Sequence, residues 1–229
     1  MMRQILVVAA HPDDEVLGCG GTIAKHINQG DEVHVLILAE GITSRDTKRD
    51  RSNSKEELSE LGIAAHKAHK IMGTSSLKLL DYADNRMDSV DLLDIVKTVE
   101  EEIKEKKPKI VYTHHHGDLN IDHQITHQAV LTACRPYPDQ SVKKIYCFEV
   151  PSSTEWQSPS VDTVFIPNTF VDISVTLSLK LDALRAYESE MRPWPHIRSI
   201  KAVEHLVRWH GASMGMEAAE AFVLVRELI

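Results

Sequence analysis

The pentapeptide at positions 11–15, His-Pro-Asp-Asp-Glu, places an imidazole and adjacent carboxylates in one short segment. An apolar run, residues 5–10, precedes it, and a glycine-rich run, residues 18–21, follows it. This order predicts a buried strand, a sharp turn and a helix. An imidazole with two adjacent carboxylates suits a divalent metal ion and leaves one carboxylate for proton transfer. The alternative is a polar turn in which Asp14 or Glu15 caps the helix.

A second polar segment, residues 114–123 with the sequence HHHGDLNIDH, contains four histidines in ten residues. It follows the apolar run 110–113, so it also lies at the carboxyl end of a predicted strand. In a parallel sheet, the loops after two neighbouring strands face the same crevice. His123 would then join His11 and Asp14, and two histidines, an aspartate and a water make an open catalytic zinc site.

Apolar runs alternate with helix-periodic segments along the whole chain. We predict strands at residues 5–10, 32–39, 76–80, 110–113, 145–150, 170–174 and 219–226. We predict helices at residues 16–29, 56–72, 90–105, 122–134, 176–190 and 199–209, the third of them capped by Ser89. Residues 41–54 are predicted to form a polar loop. The strand–helix order predicts an α/β protein with a mainly parallel sheet covered by helices on both faces.

The composition is that of an ordinary globular protein. The 229 residues show no clear linker or repeat, so we expect a single domain spanning 1–229. The net charge of −8 argues against nucleic acid as a partner. Three scattered cysteines without a CxxC pair predict reduced thiols and a cytoplasmic protein. No stretch is apolar over the length that a membrane span needs.

Residues 11–15 after a first strand, together with Asp122-His123 after a later one, resemble the PIG-L/LmbE-like family of zinc-dependent N-deacetylases. The similarity extends to the AEAF segment at residues 219–222. The resemblance implies a Rossmann-like three-layer sandwich that removes acetyl groups from N-acetylglucosamine-type sugars. It implies His11, Asp14 and His123 as ligands of Zn²⁺, with Asp13 as the general base. Glu15 is expected to help fix the turn.

The chain departs from the family at one catalytic position. Many members carry a histidine three residues before the second ligand histidine, where it stabilises the oxyanion, and this chain has Asn120. An amide donates a hydrogen bond but carries no charge and shuttles no proton at neutral pH. The role of a charged donor therefore falls either to Asn120 in a weaker form or to another group. The candidates are His114, His115, His116, His196, His205 and His210.

Three further groups of residues are candidates for substrate contacts. The resemblance implies that Asp84 meets sugar hydroxyls, although a turn-capping aspartate is an equal alternative. Arg45, with the arginines at positions 49 and 51, could bind a phosphate on a nucleotide- or lipid-linked sugar, or could belong to a solvated loop. Trp156 or Trp194 could stack on a sugar ring, whereas Trp209 is expected to pack in the core. His127, and the histidines at 26, 34, 66 and 69, are interpreted as structural or surface residues.

The leading hypothesis is a zinc-dependent hydrolase acting on an N-acetylated amino sugar or its conjugate. An amidase for another sugar–amide conjugate is a close alternative. A nucleotide-binding module is a third, but residues 18–21 are followed by Ile23, where GxGxxG would require a glycine. A metal-binding protein without catalysis is a fourth. A homo-oligomer is possible in each case, and the particular sugar is left open.

Overall fold

The computed structural model describes residues 2–45, 49–52 and 54–229, so part of the predicted 41–54 loop lies outside the described residues. The strands are β1 (Gln4–Ala9), β2 (Glu32–Ala39), β3 (Ser76–Tyr82), β4 (Ile110–His114), β5 (Lys144–Phe148), β6 (Thr169–Asp172) and β7 (Ala219–Glu227). The α-helices are α1 (Asp14–Asn28), α2 (Lys55–Met72), α3 (Leu92–Lys106), α4 (Ile121–Ala133), α5 (Leu177–Ala186) and α6 (Ile200–Ser213).

The seven described strands form one sheet in the order β3-β2-β1-β4-β5-β7-β6. The first five of these strands run parallel, and β7 is antiparallel to both β5 and β6. The predicted α/β class and mainly parallel sheet are therefore confirmed. The antiparallel pair at one edge was not predicted, because strand direction depends on how the long connection after β5 returns to the sheet.

The central strand β1 is buried on both faces, which explains its unbroken apolar sequence. Ile5 and Val7 belong to a core cluster with α1, α2 and α5 on one face. Leu6 and Val8 belong to a cluster with α3 and α4 on the other. The molecule is thus a three-layer sandwich of helices, sheet and helices.

The glycines of α1 allow that helix to lie close to the sheet and to its neighbours. A Cβ atom at Gly18 would stand 2.3 Å from the ring of Phe148, and one at Gly21 would stand 2.8 Å from Ile173. Close packing therefore accounts for these glycines without a bound nucleotide.

The strand order reverses between β1 and β4, and this is where the predicted crevice lies. The chain leaves β1 towards β2 on one side and leaves β4 towards β5 on the other. Loops after strands on either side of such a point diverge, and a ligand site opens between them. The 11–15 turn and the 115–120 loop are these two loops.

Two local predictions were wrong. The third helix begins at Leu92 with Asp91 at its N-cap position, two residues later than predicted. Ser89 instead ends a short 3₁₀ turn, and its hydroxyl donates to the carbonyl of Arg86. The helix predicted at 176–190 ends at Ala186. None of the described helices is both long and apolar enough to cross a membrane.

Candidate active site

The turn after β1 is held by its own carboxylates. Asp13 has φ 107° and ψ −28°, a conformation that L-residues with a side chain rarely adopt. Its backbone N–H donates to Glu15 Oε2 at 3.1 Å, and the N–H of His11 donates to Asp14 Oδ2 at 2.9 Å. Glu15 is fixed in turn, because its Oε1 accepts from the hydroxyl of Tyr187 at 2.8 Å. The sequence of the turn therefore aims Asp13 and Asp14 in different directions.

The structure brings His11, Asp14 and His123 together at the crevice. Asp14 Oδ2 lies 3.3 Å from His11 Nδ1 and 3.1 Å from His123 Nε2, and the two ring nitrogens are 3.3 Å apart. Ligand atoms about 2.0–2.2 Å from a tetrahedral zinc ion lie roughly 3.3 Å from one another. The other oxygen of Asp14, Oδ1, is buried and has no hydrogen-bond partner among the described residues. The donor set and its spacing fit a zinc ion.

Buried carboxylates lie behind both imidazoles. His11 Nε2 is 3.0 Å from Asp122 Oδ2 and 3.1 Å from Asp84 Oδ1. His123 Nδ1 is 3.1 Å from Asp118 Oδ1. Such carboxylates fix the orientation and tautomer of a metal-binding histidine. His11, Asp84 and Asp122 could also form a donor set of their own. However, Asp122 already accepts the backbone N–H groups at positions 85 and 87, which favours a supporting role.

Opposite charges hold this cluster together. Burial lowers the pKa of His123, but the carboxylates of Asp14 and Asp118 outweigh it and raise that pKa to about 9. Burial raises the pKa of Asp118, but His123 and two hydroxyl donors, from Ser153 and Thr154, bring it down to about 2. The pKa of Asp14 is well below its usual value because the neighbouring histidines outweigh the effect of burial. The buried carboxylates of the cluster therefore favour a positive charge beside them.

Asp13 points away from the ligand cluster and meets an arginine from the far end of the chain. Its Oδ2 lies 3.0 Å from Arg198 Nη1. Arg198 also donates from Nε to Ser152 Oγ at 2.6 Å. Burial raises the pKa of Asp13 well above its usual value, and Arg198 opposes that rise. Sequence reasoning missed Arg198, since it follows a proline-broken segment and no motif or spacing marks it.

Both the ligand cluster and Asp13 open into one polar cavity of about 190 Å³. It is lined by His11, Pro12, Asp13, Gly41, Ser44, Arg45, Asp84, Asn85, Asn120, His123, Ser152, Ser153, Glu190 and Arg198. The cavity therefore combines a metal-type cluster, a carboxylate and several hydrogen-bonding groups within the space of a small polar ligand.

The model of the PIG-L family, described as GlcNAc-PI de-N-acetylase, matches residues 6–134, more than half of the chain. The chain belongs to the PIG-L family. The resemblance read from the 11–15 and 122–123 motifs is therefore confirmed. The matched range includes His11, Asp13, Asp14 and His123, whereas Arg198 lies beyond it.

Curated relatives of this PIG-L chain include proteins named for different reactions. The uncharacterized deacetylase YaiS of Escherichia coli (strain K12) is 30% identical, over 82% of this chain and 91% of its own length. The diacetylchitobiose deacetylase of Thermococcus kodakarensis is 26% identical, over 87% of this chain and 76% of its own. The 4-oxalmesaconate hydratase of Pseudomonas putida is 27% identical, over 85% and 76% respectively.

Solved structures share the fold of this PIG-L chain. The N,N'-diacetylchitobiose deacetylase from Pyrococcus horikoshii superposes with a TM-score of 0.76 at 20% identity, covering 98% of this chain and 84% of the other. A zinc-inhibited form of the teicoplanin deacetylase Orf2 has a TM-score of 0.77 at 15% identity, covering 98% of each chain. At these identities the likeness concerns the fold.

Asn120, three residues before His123, serves the local backbone and a neighbouring side chain. Its Oδ1 accepts the N–H of Asp122 at 2.8 Å, which caps α4, and its Nδ2 donates to Asn85 Oδ1 at 2.8 Å. One hydrogen of the amide group has no partner in these contacts, and the residue lines the cavity. Asn120 can therefore still offer a neutral donor.

None of the six candidate histidines is among the described residues that line the cavity. His114 lies beneath it, stacked on His123 with ring centroids 4.0 Å apart, and its Nε2 accepts the N–H of Ala10. Burial lowers the pKa of His114 well below its usual value, so it is a neutral packing partner. The other five histidines make contacts outside the cavity. His115 accepts the N–H of Gly117, and His116 donates to the carbonyl of Asp162. His196 packs against the ring of Trp156, His205 packs against the ring of Trp194, and His210 pairs with the carboxylate of Glu149.

The candidate substrate residues lie at the cavity but are tied to other groups. Asp84 is buried, faces His11, and accepts the N–H of Ser44. Arg45 donates from Nη2 to both oxygens of Glu190, at 2.7 and 2.8 Å. The arginines at 49 and 51 both pair with Glu40. These pairings neutralise the charge that a phosphate would need.

The predictions for the tryptophans and for His127 had different outcomes. Trp209 was expected in the core, and this was wrong, because the residue lies on α6 outside its buried positions and is 72% exposed. Trp156 and Trp194 are about half exposed, on segments next to the cavity. His127 is buried and binds the carbonyl of His114, in keeping with the structural interpretation.

Proposed function

We propose that this chain is a zinc-dependent N-deacetylase acting on an N-acetylglucosamine-type sugar or its conjugate. The single observation that carries the proposal is the pairing of a His-Asp-His cluster with a separate carboxylate, Asp13, at one polar cavity. Relatives named as deacetylases of amino sugars support it, as does the family model.

His11, Asp14 and His123 would hold the ion. A zinc ion held there would supply Lewis-acid chemistry, polarising the acetyl carbonyl and making water easier to deprotonate. The carboxylates of Asp118 and Asp122 keep the two imidazoles oriented, so the site is formed before the substrate arrives.

Asp13 accepts a proton from the attacking water as the oxygen of that water bonds to the acetyl carbon. The C–N bond then breaks, and Asp13 returns the proton to the departing nitrogen. The products are acetate and a free amino sugar, so one water is consumed and no proton is gained or lost by the enzyme. The unpaired amide hydrogen of Asn120 supplies a further donor towards the reacting group.

The cavity suits hydroxyl groups better than a second anion. Asp84 and Glu190 are carboxylates at its wall, and they accept hydrogen bonds that sugar hydroxyls donate. Arg45 is already engaged with Glu190, which disfavours a phosphate at that point. The same carboxylates repel a dicarboxylate or tricarboxylate substrate, so we favour deacetylation over the hydration reaction named for the Pseudomonas relative.

The test measures metal content and acetate release together. The chain is purified without added metal, and acetate is measured from N-acetylglucosamine, N,N'-diacetylchitobiose and a nucleotide-linked N-acetylglucosamine. We expect about one zinc ion per chain, as in sites of this donor set, and release that a chelator abolishes and zinc restores. Asp13→Asn should keep the metal and lose roughly 10²–10⁴-fold in turnover.

A matched pair of histidine variants guards against a general loss of folding. His123→Gln should lose both metal and turnover, whereas His66→Gln, at an exposed position on α2, should keep both. Release of an acyl acid other than acetate would favour the broader amidase alternative. Full turnover in Asp13→Asn would refute the mechanism.

A further inference from the structure

The position three residues before His123, at which the family resemblance implies a histidine, is held by the neutral Asn120 at the cavity wall. Apart from the two metal-type histidines, the described residues that line the cavity include two cations, Arg45 and Arg198. Asn120 is neutral, and the six candidate histidines lie outside the lining. Besides a metal ion held by His11, Asp14 and His123, the groups that could meet a developing negative charge at the acetyl oxygen are therefore these two arginines and neutral donors.

The two arginines differ in which groups they bind and in how enclosed they are. Arg45 directs Nη2 to both oxygens of Glu190, and 48% of its side chain is exposed. Arg198 is more enclosed, with 22% of its side chain exposed. It binds Asp13 through Nη1 and Ser152 through Nε, and its Nη1 also lies 3.9 Å from Glu190 Oε2. None of the hydrogen bonds among the described residues uses Arg198 Nη2. Arg198 is therefore anchored through Nε on one side and Nη1 on the other, and Nη2, which lies between them, is free to donate.

From this geometry, and resting on the proposed deacetylase function, we propose that Arg198 stabilises the oxyanion formed during hydrolysis. Asp13 holds the attacking water, and the oxygen that becomes negative belongs to the same carbon atom that this water attacks. A guanidinium is planar and carries five N–H donors, so Nη1 can hold the base while the neighbouring Nη2 reaches the oxyanion. Arg198 is then the positively charged donor to the oxyanion, a role that the neutral Asn120 cannot have.

This assignment changes how protons move in the reaction. Arginine stays protonated at any pH at which the enzyme is folded, so Arg198 stabilises charge but delivers no proton. The proton taken from water must pass through Asp13 to the leaving nitrogen. The C–O bond forms, the C–N bond breaks, and the charge on Arg198 is the same before and after.

The first experiment compares Arg198→Met with Arg198→Lys and with a control in the same segment. Arg192→Met is the control, because its guanidinium is bound to the backbone carbonyls of Ser189 and Met191. Loss of one oxyanion donor lowers kcat by about 10²–10³-fold. We expect that loss in Arg198→Met with KM changed less than about threefold, recovery of at least about tenfold in Arg198→Lys, and wild-type kinetics in Arg192→Met.

The second experiment separates this role from simple positioning of Asp13. The probe is glucosamine that carries a methylphosphonyl group on its nitrogen, a tetrahedral anion in place of the planar acetyl group. Its dissociation constant is measured in Asp13→Asn and in Asp13→Asn/Arg198→Met, where no base remains to be positioned. An oxyanion donor predicts binding weaker by about 10²-fold in the double variant. Metal content and circular dichroism of each variant show that the site is assembled.

The outcomes are distinct. Equal binding of the probe by the two proteins of the second experiment overturns the proposal, because Arg198 then acts through Asp13. If the wild-type chain releases acetate and Arg198→Met has the same kcat as the wild type, the proposal is overturned as well, while the deacetylase function stands. If the zinc-loaded wild-type chain hydrolyses none of the N-acetylated sugars and does not bind the probe, the deacetylase function fails and the Arg198 proposal fails with it.

Discussion

Asp13 has an unfavourable backbone conformation that its neighbours in the turn stabilise. Its side chain lines the cavity and meets Arg198, while its backbone has a positive φ of 107°. Left-handed backbone of this kind costs an L-residue about 1–2 kcal/mol. The turn is stabilised from outside by Glu15, which accepts the N–H of Asp13. Strain at this residue is therefore part of how the two adjacent carboxylates reach different partners.

A comparison of Asp13→Gly with Asp13→Ala isolates this strain. Both variants remove the carboxylate and its ion pair with Arg198, but glycine accepts a positive φ and alanine does not. We expect the glycine variant to have the larger free energy of unfolding by about 1–2 kcal/mol, with no activity in either. Urea denaturation of the two proteins checks this, and equal stabilities would show that the turn relaxes.

At the residue scale, the sequence predicted which side chains meet at the crevice but not every role. The proximity of His11, Asp14 and His123 could be predicted, because the carboxyl ends of neighbouring parallel strands lie at the same edge of the sheet. Arg198 could not, since it is 185 residues from Asp13 and reaches it through an irregular segment. Asn120 was assigned from its place in a motif, and its use as a helix cap depends on the backbone around it.

At the element scale, α1 is two helical pieces joined at Cys19, where φ is −146°. The carbonyls of Val16 and Leu17 before the break accept from Lys180 Nζ at 2.8 and 2.7 Å. The N–H groups of residues 21 and 22 after the break donate to Glu220 at 2.9 and 2.7 Å. Lys180 and Glu220 are buried and 2.6 Å apart. This ion pair replaces the helical hydrogen bonds that the break removes.

Lys180→Met tests how much α1 depends on the pair. The change leaves Glu220 as an uncompensated buried charge, and breaking a buried pair in this way destabilises proteins by about 3–5 kcal/mol. We expect a fall of that size in the free energy of unfolding from urea denaturation. The double variant Lys180→Met/Glu220→Gln should lose less than the sum of its two single variants. Lys67→Met, an exposed position on α2, should change stability by less than about 0.5 kcal/mol.

The elements themselves were largely predictable, and their exceptions have local causes. The apolar runs of β1 and β2 gave those strands within a residue of their bounds, because central strands are buried on both faces. The AEAF segment was recognised as a motif, yet its glutamate serves a break in a helix nearly 200 residues earlier. Sequence periodicity describes one element at a time, and it carries no information about such a distant partner.

At the scale of the whole molecule, Asp31, just before β2, should make the free energy of unfolding depend on pH in the acid range. Asp31 accepts from Arg3 at 2.6 Å and contacts His26 at 2.8 Å. Burial raises the pKa of Asp31, but the hydrogen bonds from Arg3 and His26 outweigh it and lower that pKa to about 2. The unfolded chain has the ordinary value near 3.8. A carboxyl whose pKa is lower in the folded state stabilises the fold above the unfolded value and loses that contribution as pH falls towards the folded one.

Asp31→Asn should therefore be less stable than the wild type at pH 7, and the difference should shrink between pH 4 and pH 2. Urea denaturation at pH 7, 5 and 3 measures it. Asp88→Asn, at an exposed position in the loop after β3, serves as the control and should match the wild type throughout. A stability difference that stays constant down to pH 3 would mean that Asp31 acts by packing and not by its charge.

The proposed metal site links function to the stability of the whole chain. The protein carries a net charge of −8, and the buried carboxylates of Asp13, Asp14, Asp84, Asp118 and Asp122 converge at one edge of the sheet. The ligand atoms come from the turn after β1 and from α4, so they are assembled only in the folded state. An ion that binds the folded chain and not the unfolded one raises the free energy of unfolding, by about 4 kcal/mol at a free concentration 1,000 times its dissociation constant.

Thermal unfolding with and without a chelator tests this linkage independently of any substrate. We expect the chelator to lower Tm and added zinc to restore it, with the shift growing with the logarithm of the free zinc concentration. Asp14→Ala should abolish the zinc-dependent shift, because it removes the carboxylate that lies within 3.3 Å of both ring nitrogens. Asp31→Asn should lower Tm without changing the shift, because its ion pair lies at the opposite end of β1. A shift that persists in Asp14→Ala would place the stabilising ion at a different site.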